Sequence, residues 1–152
     1  MKARYVHTNL IAKDWRALAD FYVRVFGCVL VPPERDYRNA ALDRLTGIAN
    51  AHQFGAHLRL PGYENLGVDG PTLEIFGFDE VLDANTKAIQ REGFGHIAFA
   101  VDDVQSAREE LLAHGGHTIG EVVTMTNTAG ARVTVCYATD PEGNAVELQK
   151  WD

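Results

Sequence analysis

The sequence predicts an α+β fold made of two tandem βαβββ modules, and three observations lead there. The first is a repeat. His7-Thr8-Asn9-Leu10-Ile11-Ala12-Lys13-Asp14 and His96-Ile97-Ala98-Phe99-Ala100-Val101-Asp102-Asp103 both place a His seven residues before an Asp, at a constant offset of 89. The second is that each Asp opens a helical stripe: Trp15, Leu18, Tyr22 and Val25 in one case, Val104, Ala107 and Leu111 in the other. The third is that the modules end alike. Thr72-Leu73-Glu74-Ile75-Phe76 and Ala145-Val146-Glu147-Leu148-Gln149 each set an acid among aliphatics in a short β-rich run. A period of 89 is too long for a solenoid and suits a duplicated half-domain, two units sharing one core.

In chain order, each module opens on a strand carrying the His. Asp14 and Asp103 stand where an N-cap belongs, and the helices stop at Gly27 and at Gly115-Gly116. About three strands follow. An Arg precedes each Glu by fifteen residues, Arg59 before Glu74 and Arg132 before Glu147. From Gly27 to Glu74 is 47 residues, and from Gly116 to Glu147 only 31. Because the tails match in length, the added residues are expected before Arg59, near 32–54, beginning at Pro32-Pro33. The expected organisation is one domain over 1–152. It comprises a first module at 1–78, a polar linker at 79–93 with a short helical turn, and a second module at 94–152.

Composition bounds the function. A chain of 152 residues with 46% apolar and 23% charged residues suits one compact unit. Fourteen basic against twenty-one acidic residues, a net charge of −7, argue against a nucleic-acid binder or an anionic-membrane binder. No apolar run approaches the roughly 20 residues of a membrane helix. No apolar signal region follows Met1-Lys2-Ala3-Arg4-Tyr5. Two cysteines without a C-x-x-C, Cys28 and Cys136, read as small apolar fillers with reduced thiols, and the chain as cytoplasmic.

Strand parity then sorts the polar residues. Successive side chains alternate faces. His7 therefore shares a face with Tyr5 and Asn9, and His96 with Ala98. Glu74 goes with Thr72 and Phe76, and Glu147 with Ala145 and Gln149. The opposite faces are aliphatic and suit packing on a helix. A face of His, Glu, Phe, Ala, Asn and Gln suits a lined cavity better than open water. A lone strand His is usually structural, but four residues of correct parity, related in pairs by the repeat, form a ligand set. Two imidazoles and two carboxylates suit one divalent ion: Zn, Ni, Co, Mn or Fe(II). The predicted metal ligands are His7, Glu74, His96 and Glu147.

At these motifs the chain resembles the vicinal oxygen chelate superfamily, which includes glyoxalase I, methylmalonyl-CoA epimerase, extradiol dioxygenases, and fosfomycin and bleomycin resistance proteins. The carrying residues are His7-Thr8-Asn9-Leu10, Phe21-Tyr22 with Phe26-Gly27, and Gly70-Pro71-Thr72-Leu73-Glu74. With them go Gly95-His96-Ile97-Ala98-Phe99 followed by Val101-Asp102-Asp103, and Asp140-Pro141-Glu142-Gly143-Asn144 leading to Glu147. The resemblance implies a curved mixed β-sheet around a metal-binding cavity, with one ligand on the first and one on the last strand of each module. Two His with two Glu look like glyoxalase I, and the epimerase is close. The implied chemistry is proton abstraction beside a carbonyl of a small oxygenated metabolite bound through vicinal oxygens, a lyase or isomerase reaction. Glu147 is the preferred base and Glu74 the second candidate. A homodimer is implied, with the site built within one chain or across two. The alternatives are an Fe(II) extradiol-type dioxygenase and a drug-binding resistance protein without catalysis.

The expected substrate contacts are Asn9, Phe76, Arg59 and Arg132. An Arg facing the cavity would take a carboxylate or phosphate through its planar fork. Arg35, Tyr37 and Arg38 read as a surface loop that could instead cap the cavity. His52, His57, His114 and His117 read as surface or loop residues.

Overall fold

The computed structural model describes residues 1, 3–82, 88–90 and 92–152. The chain divides into two compact units, Met1–Asp83 and Ala84–Asp152. The expected linker falls partly on 83–87 and 91, which lie outside the described residues.

The first unit runs β1 (His7–Ile11), α1 (Trp15–Phe26), β2 (Val29–Tyr37), α2 (Ala40–Thr46), β3 (Gln53–Arg59), a 3-10 segment (Glu64–Asp69) and β4 (Thr72–Phe78). Its sheet has the order β1-β4-β3-β2, with β1 parallel to β4 and the other pairs antiparallel. The second unit runs β5 (Ile97–Ala100), α3 (Val104–Ala113), β6 (His117–Thr118), β7 (Val123–Thr126), β8 (Arg132–Thr139) and β9 (Ala145–Trp151). Its order is β5-β9-β8-β6, and β7 also pairs with β8. Each unit is thus a mixed sheet backed by a helix, the α+β class expected.

Local chemistry accounts for the elements. Asp14 accepts the Ala17 amide at 3.0 Å and Asp103 the Ser106 amide at 2.7 Å, so both helices carry the caps their sequences promised. Helix α1 ends at Gly27, whose φ of 68° is a left-handed conformation costly for a residue with a Cβ. Leu18, Ala19, Phe21 and Tyr22 of α1 are buried, as are Ala56, Leu58, Leu73 and Ile75 of the strands it packs on. Each such large side chain contributes about 1.5–3 kcal/mol of burial. In the second unit, Val104 and Leu111 of α3 are buried alongside Cys136, Ala138, Val146 and Leu148. Both cysteines are free and buried, and burial pushes the Cys28 thiol up to about 12.

The added residues of the first unit are distributed differently from the expectation. Residues 32–37 are strand, not insertion. Strand β2 pairs with β3 on both sides of Pro32-Pro33-Glu34, where the ladder breaks because proline has no N–H to donate. The second unit builds the same edge from two short strands, β6 and β7. Helix α2 is the insertion proper. A further part lies between β3 and β4. The residue facing Glu74 across the sheet is His57, seventeen positions earlier, whereas the one facing Glu147 is Tyr137, ten positions earlier. Seven added residues therefore sit in the β3–β4 connection, and the equal Arg-to-Glu spacing does not reflect equivalent positions. Among the described residues, no helix is long and apolar enough to cross a membrane.

Candidate functional site

Each unit places an imidazole beside a carboxylate. In the first, β1 and β4 run parallel with Asn9 opposite Glu74. In the second, β5 and β9 run parallel with Ala98 opposite Glu147. Asn9 and Ala98 are repeat partners, so the two registers are the same. The histidine stands two residues earlier in both cases. His7 Nδ1 lies 3.3 Å from Glu74 Oε1, and His96 Nε2 lies 3.2 Å from Glu147 Oε2.

The turn before β9 is built to present Glu147. Asp140 is fully buried. Its Oδ1 accepts the amides of Glu142 and Asn144, and its Oδ2 accepts the Asn144 side chain at 2.8 Å. Gly143 at φ 82° completes the turn. This is the physical content of the Asp140–Asn144 motif.

The antiparallel neighbour of each Glu adds a third group. His57 Nε2 lies 3.2 Å from Glu74 Oε1, the oxygen that His7 also approaches. The His57 ring meets Phe76 edge-on at 5.7 Å. Burial holds the His57 pKa below the ordinary imidazole value, and the charges of Arg35 and His7 add to this, while Glu74 opposes it. In the second unit Tyr137 hydrogen-bonds Glu147, which together with burial raises the phenol above its usual pKa. The Tyr137 ring lies 5.1 Å from His96. Glu74 is only 8% exposed. A carboxylate so desolvated is costly without partners, and two imidazoles supply them.

The other sequence candidates lie as follows. Asn9 donates its side-chain amide to the Glu74 carbonyl at 3.4 Å. Phe76 is buried on the Glu74 face. Arg59 is buried too, but its guanidinium is engaged by backbone: Nη1 donates to the Gly70 and Pro71 carbonyls and Nη2 to Gly67. It therefore clasps the β3–β4 connection. Arg132 sits at the start of β8, exposed, 3.5 Å from Asp152. By alternation it is on the face opposite Tyr137, so it is not brought to Glu147. Arg38 and His52 join Asp79 and Asp36 in a separate surface cluster. Tyr37 ends β2, exposed. His114 caps α3 and His117 is exposed in β6.

Three residues beside the pairs were not among the site residues expected from the sequence: His57, Tyr137 and Arg35. The signal for His57 was its parity with Arg59, which the sequence already displayed.

Two donors bound to one first-row ion at about 2.0–2.2 Å stand roughly 3 Å apart. The His–Glu separations of 3.2–3.3 Å match such a pair, and imidazole with carboxylate is a donor set for a divalent ion. Among the described residues, no group of three or more His, Cys, Asp or Glu is gathered so as to hold a metal ion. The first unit sets His7 and His57 against Glu74, and the second sets His96 against Glu147.

Comparison with known proteins follows the same lines. The family model of the Glyoxalase/Bleomycin resistance protein/Dioxygenase superfamily matches residues 4–148. Lactoylglutathione lyase of Escherichia coli O157:H7 is 25% identical over 146 residues, covering 95% of this chain and 90% of that protein. A glyoxalase-family protein from Bacillus cereus superposes with a TM-score of 0.82 at 19% identity, over 99% of this chain and 95% of that one. The fosfomycin resistance protein FosX of Listeria monocytogenes, solved with Mn(II) and sulfate, superposes at 0.53 with 17% identity, over 98% and 93%.

Proposed function

Since this chain belongs to the Glyoxalase/Bleomycin resistance protein/Dioxygenase superfamily, we propose that it is a metal-dependent lyase or isomerase of glyoxalase or epimerase type. Its substrate is a small oxygenated metabolite held through vicinal oxygens, and the reaction moves a proton beside a carbonyl. The observation that carries this reading is the pair of imidazole–carboxylate contacts at repeat-equivalent positions, His7–Glu74 and His96–Glu147. These four residues would hold one divalent ion, Zn, Ni, Co, Mn or Fe(II), contributed by one chain or by two copies of a homodimer.

A divalent ion held by His7, Glu74, His96 and Glu147 would supply Lewis-acid polarisation of a carbonyl and stabilisation of developing negative charge. The chain's residues do the rest. Glu147 takes the proton at a carboxylate oxygen, and Tyr137 orients that carboxylate by donating to it. His96 holds the other side of Glu147. Phe76 and Asn9 border Glu74 and shape the substrate face. The same reading has the enzyme working in the cytoplasm.

The test is elemental analysis of protein purified without a metal-affinity tag, followed by assays on the methylglyoxal–glutathione hemithioacetal and on acyl-CoA epimers. About one Ni, Co, Zn or Mn per chain, lost in both His7→Ala and His96→Ala, together with turnover of either substrate, bears the proposal out. Stoichiometric iron with oxygen uptake on a catechol replaces it with the dioxygenase. A chain that takes up no offered ion overturns it.

A further inference from the structure

Arg35 is the one cation that β2 brings to the face bearing Glu74. It pairs in register with Gly55, and Gly55 lies two residues before His57 on β3. Cross-strand partners share a face, and so do residues two apart, so Arg35, His57 and Glu74 point the same way. With adjacent strands about 4.8 Å apart and two residues spanning about 6.7 Å, Arg35 and His57 stand on neighbouring rows of one surface. Gly55 between them carries no side chain. A Cβ there would meet the Phe76 ring at 2.5 Å and the Ile75 carbonyl at 2.1 Å. The aromatic ring therefore occupies that position and floors the space between Arg35 and Glu74.

One nitrogen of the Arg35 guanidinium is not spent on the fold. Nη1 is buried and has no hydrogen-bond partner among the described residues. The flanking carboxylates, on the opposite face by alternation, are committed elsewhere. Glu34 makes a two-pronged pair with Arg16 at 2.7 and 2.8 Å, and Asp36 bonds His52 at 2.8 Å. Glu74 is already met by His7 and His57. A desolvated guanidinium N–H without an acceptor is unfavourable, and an incoming anion relieves it. Arg59, by contrast, has its acceptors in the backbone. The position in the second unit that corresponds to Arg35 is Val123, opposite Val135, so the cation breaks the internal symmetry. Only the first of the two repeat-equivalent His–Glu pairs therefore has a cation on its sheet face.

We propose that Arg35 anchors the substrate, binding an oxyanion, carboxylate or phosphate in type, over the Phe76 ring beside Glu74. This rests on the site proposed above and names its substrate class: a metabolite carrying an anionic group in addition to its vicinal oxygens. The planar fork can donate to two oxygens of such a group in parallel.

The test uses inorganic phosphate and L-lactate as separate probes, titrated calorimetrically into EDTA-treated and metal-loaded protein. The wild type should bind at least one of them saturably, and the one that binds tells phosphate-type from carboxylate-type recognition. Arg35→Gln should weaken that binding at least tenfold in both preparations. Arg35→Lys, which keeps the charge but not the fork, should retain part of it and decides the matter if Arg35→Gln does not fold. Arg24→Gln, on the α1 surface beside Asp20, is the control. Arg35→Gln binding within twofold of wild type, or no saturable binding of either anion by the wild type, overturns the proposal. A protein that takes up no metal yet loses anion binding in Arg35→Gln leaves Arg35 standing and removes the metal reading. Metal uptake with Arg35→Gln unaffected does the reverse.

Discussion

His57 and Glu74 face each other in direct register across β3 and β4, with Nε2 3.2 Å from Oε1. The same position in the second unit holds Tyr137 against Glu147. Each carboxylate is therefore steadied from its antiparallel side by a polar ring, an imidazole in one unit and a phenol in the other. Partners of this kind fix the orientation of a metal ligand and typically change affinity by 10–100-fold when removed. If Glu74 ligates an ion as proposed, His57→Ala should weaken divalent-ion binding within that range while leaving one ion per chain at saturation. Competition against a chelator of known affinity measures it. Unchanged affinity would show that His57 does not orient Glu74 for an ion.

Glu147→Gln keeps the shape of the side chain and removes its basicity. If Glu147 takes the proton, kcat should fall at least a hundredfold, the lower range of a general base, with the fold intact by circular dichroism. Tyr137→Phe removes only the donor to Glu147. A charge-assisted hydrogen bond of about 1.5–3 kcal/mol corresponds to roughly ten- to hundredfold, so this variant should be the milder of the two. Full activity in Glu147→Gln would move the base elsewhere, with Glu74 next.

The caps at Asp14 and Asp103 and the strand parity of His7, Glu74, His96 and Glu147 were legible because they are local patterns, and the repeat because it recurs at one offset of 89. Cross-strand register was not. Arg59 and Arg132 stand at equal distances from their glutamates along the chain, yet Arg59 ends β3, paired with Thr72, while Arg132 begins β8, paired with Thr126. Seven residues looped out between β3 and β4 make the spacing coincidental. The same loop hid His57, since its partner Glu74 can be found only once the turn length is known. Arg35 was hidden by Pro32-Pro33, which reads as the start of a loop but is a break within an edge strand.

Arg59 holds the β3–β4 connection through the carbonyls of Gly67, Gly70 and Pro71. Arg59→Met keeps much of the side-chain volume and leaves these acceptors without their buried donors. The expected loss is about 2–4 kcal/mol, a few charged hydrogen bonds less the gain of a neutral side chain. Urea unfolding with an unchanged slope measures it. A loss under about 0.5 kcal/mol would mean that water replaces the guanidinium freely.

His52 stands between two carboxylates, Nε2 at 2.8 Å from Asp36 and Nδ1 at 2.8 Å from Asp79, with Arg38 on the same side. The hydrogen bond to Asp36, and then that to Asp79, raise its pKa above the ordinary 6.5, against an opposing push from burial and from Arg38. The imidazolium is thus bound more tightly in the folded chain than in the unfolded one. Its stabilisation is fully present below the unfolded pKa near 6.5 and is lost as pH rises through the raised folded pKa. Asp79 is shifted the other way, chiefly by His52, so its contribution is present above its unfolded value and lost only in acid. Between these limits, from about pH 5 to 6.5, both contributions act together. His52→Gln should lower the melting temperature most in that window and converge on the wild type above the raised His52 pKa. Melting curves of both proteins from pH 5 to 9 decide it, and a constant difference across the range would show that His52 acts through packing on Phe54, whose ring lies 4.9 Å away, rather than through its charge.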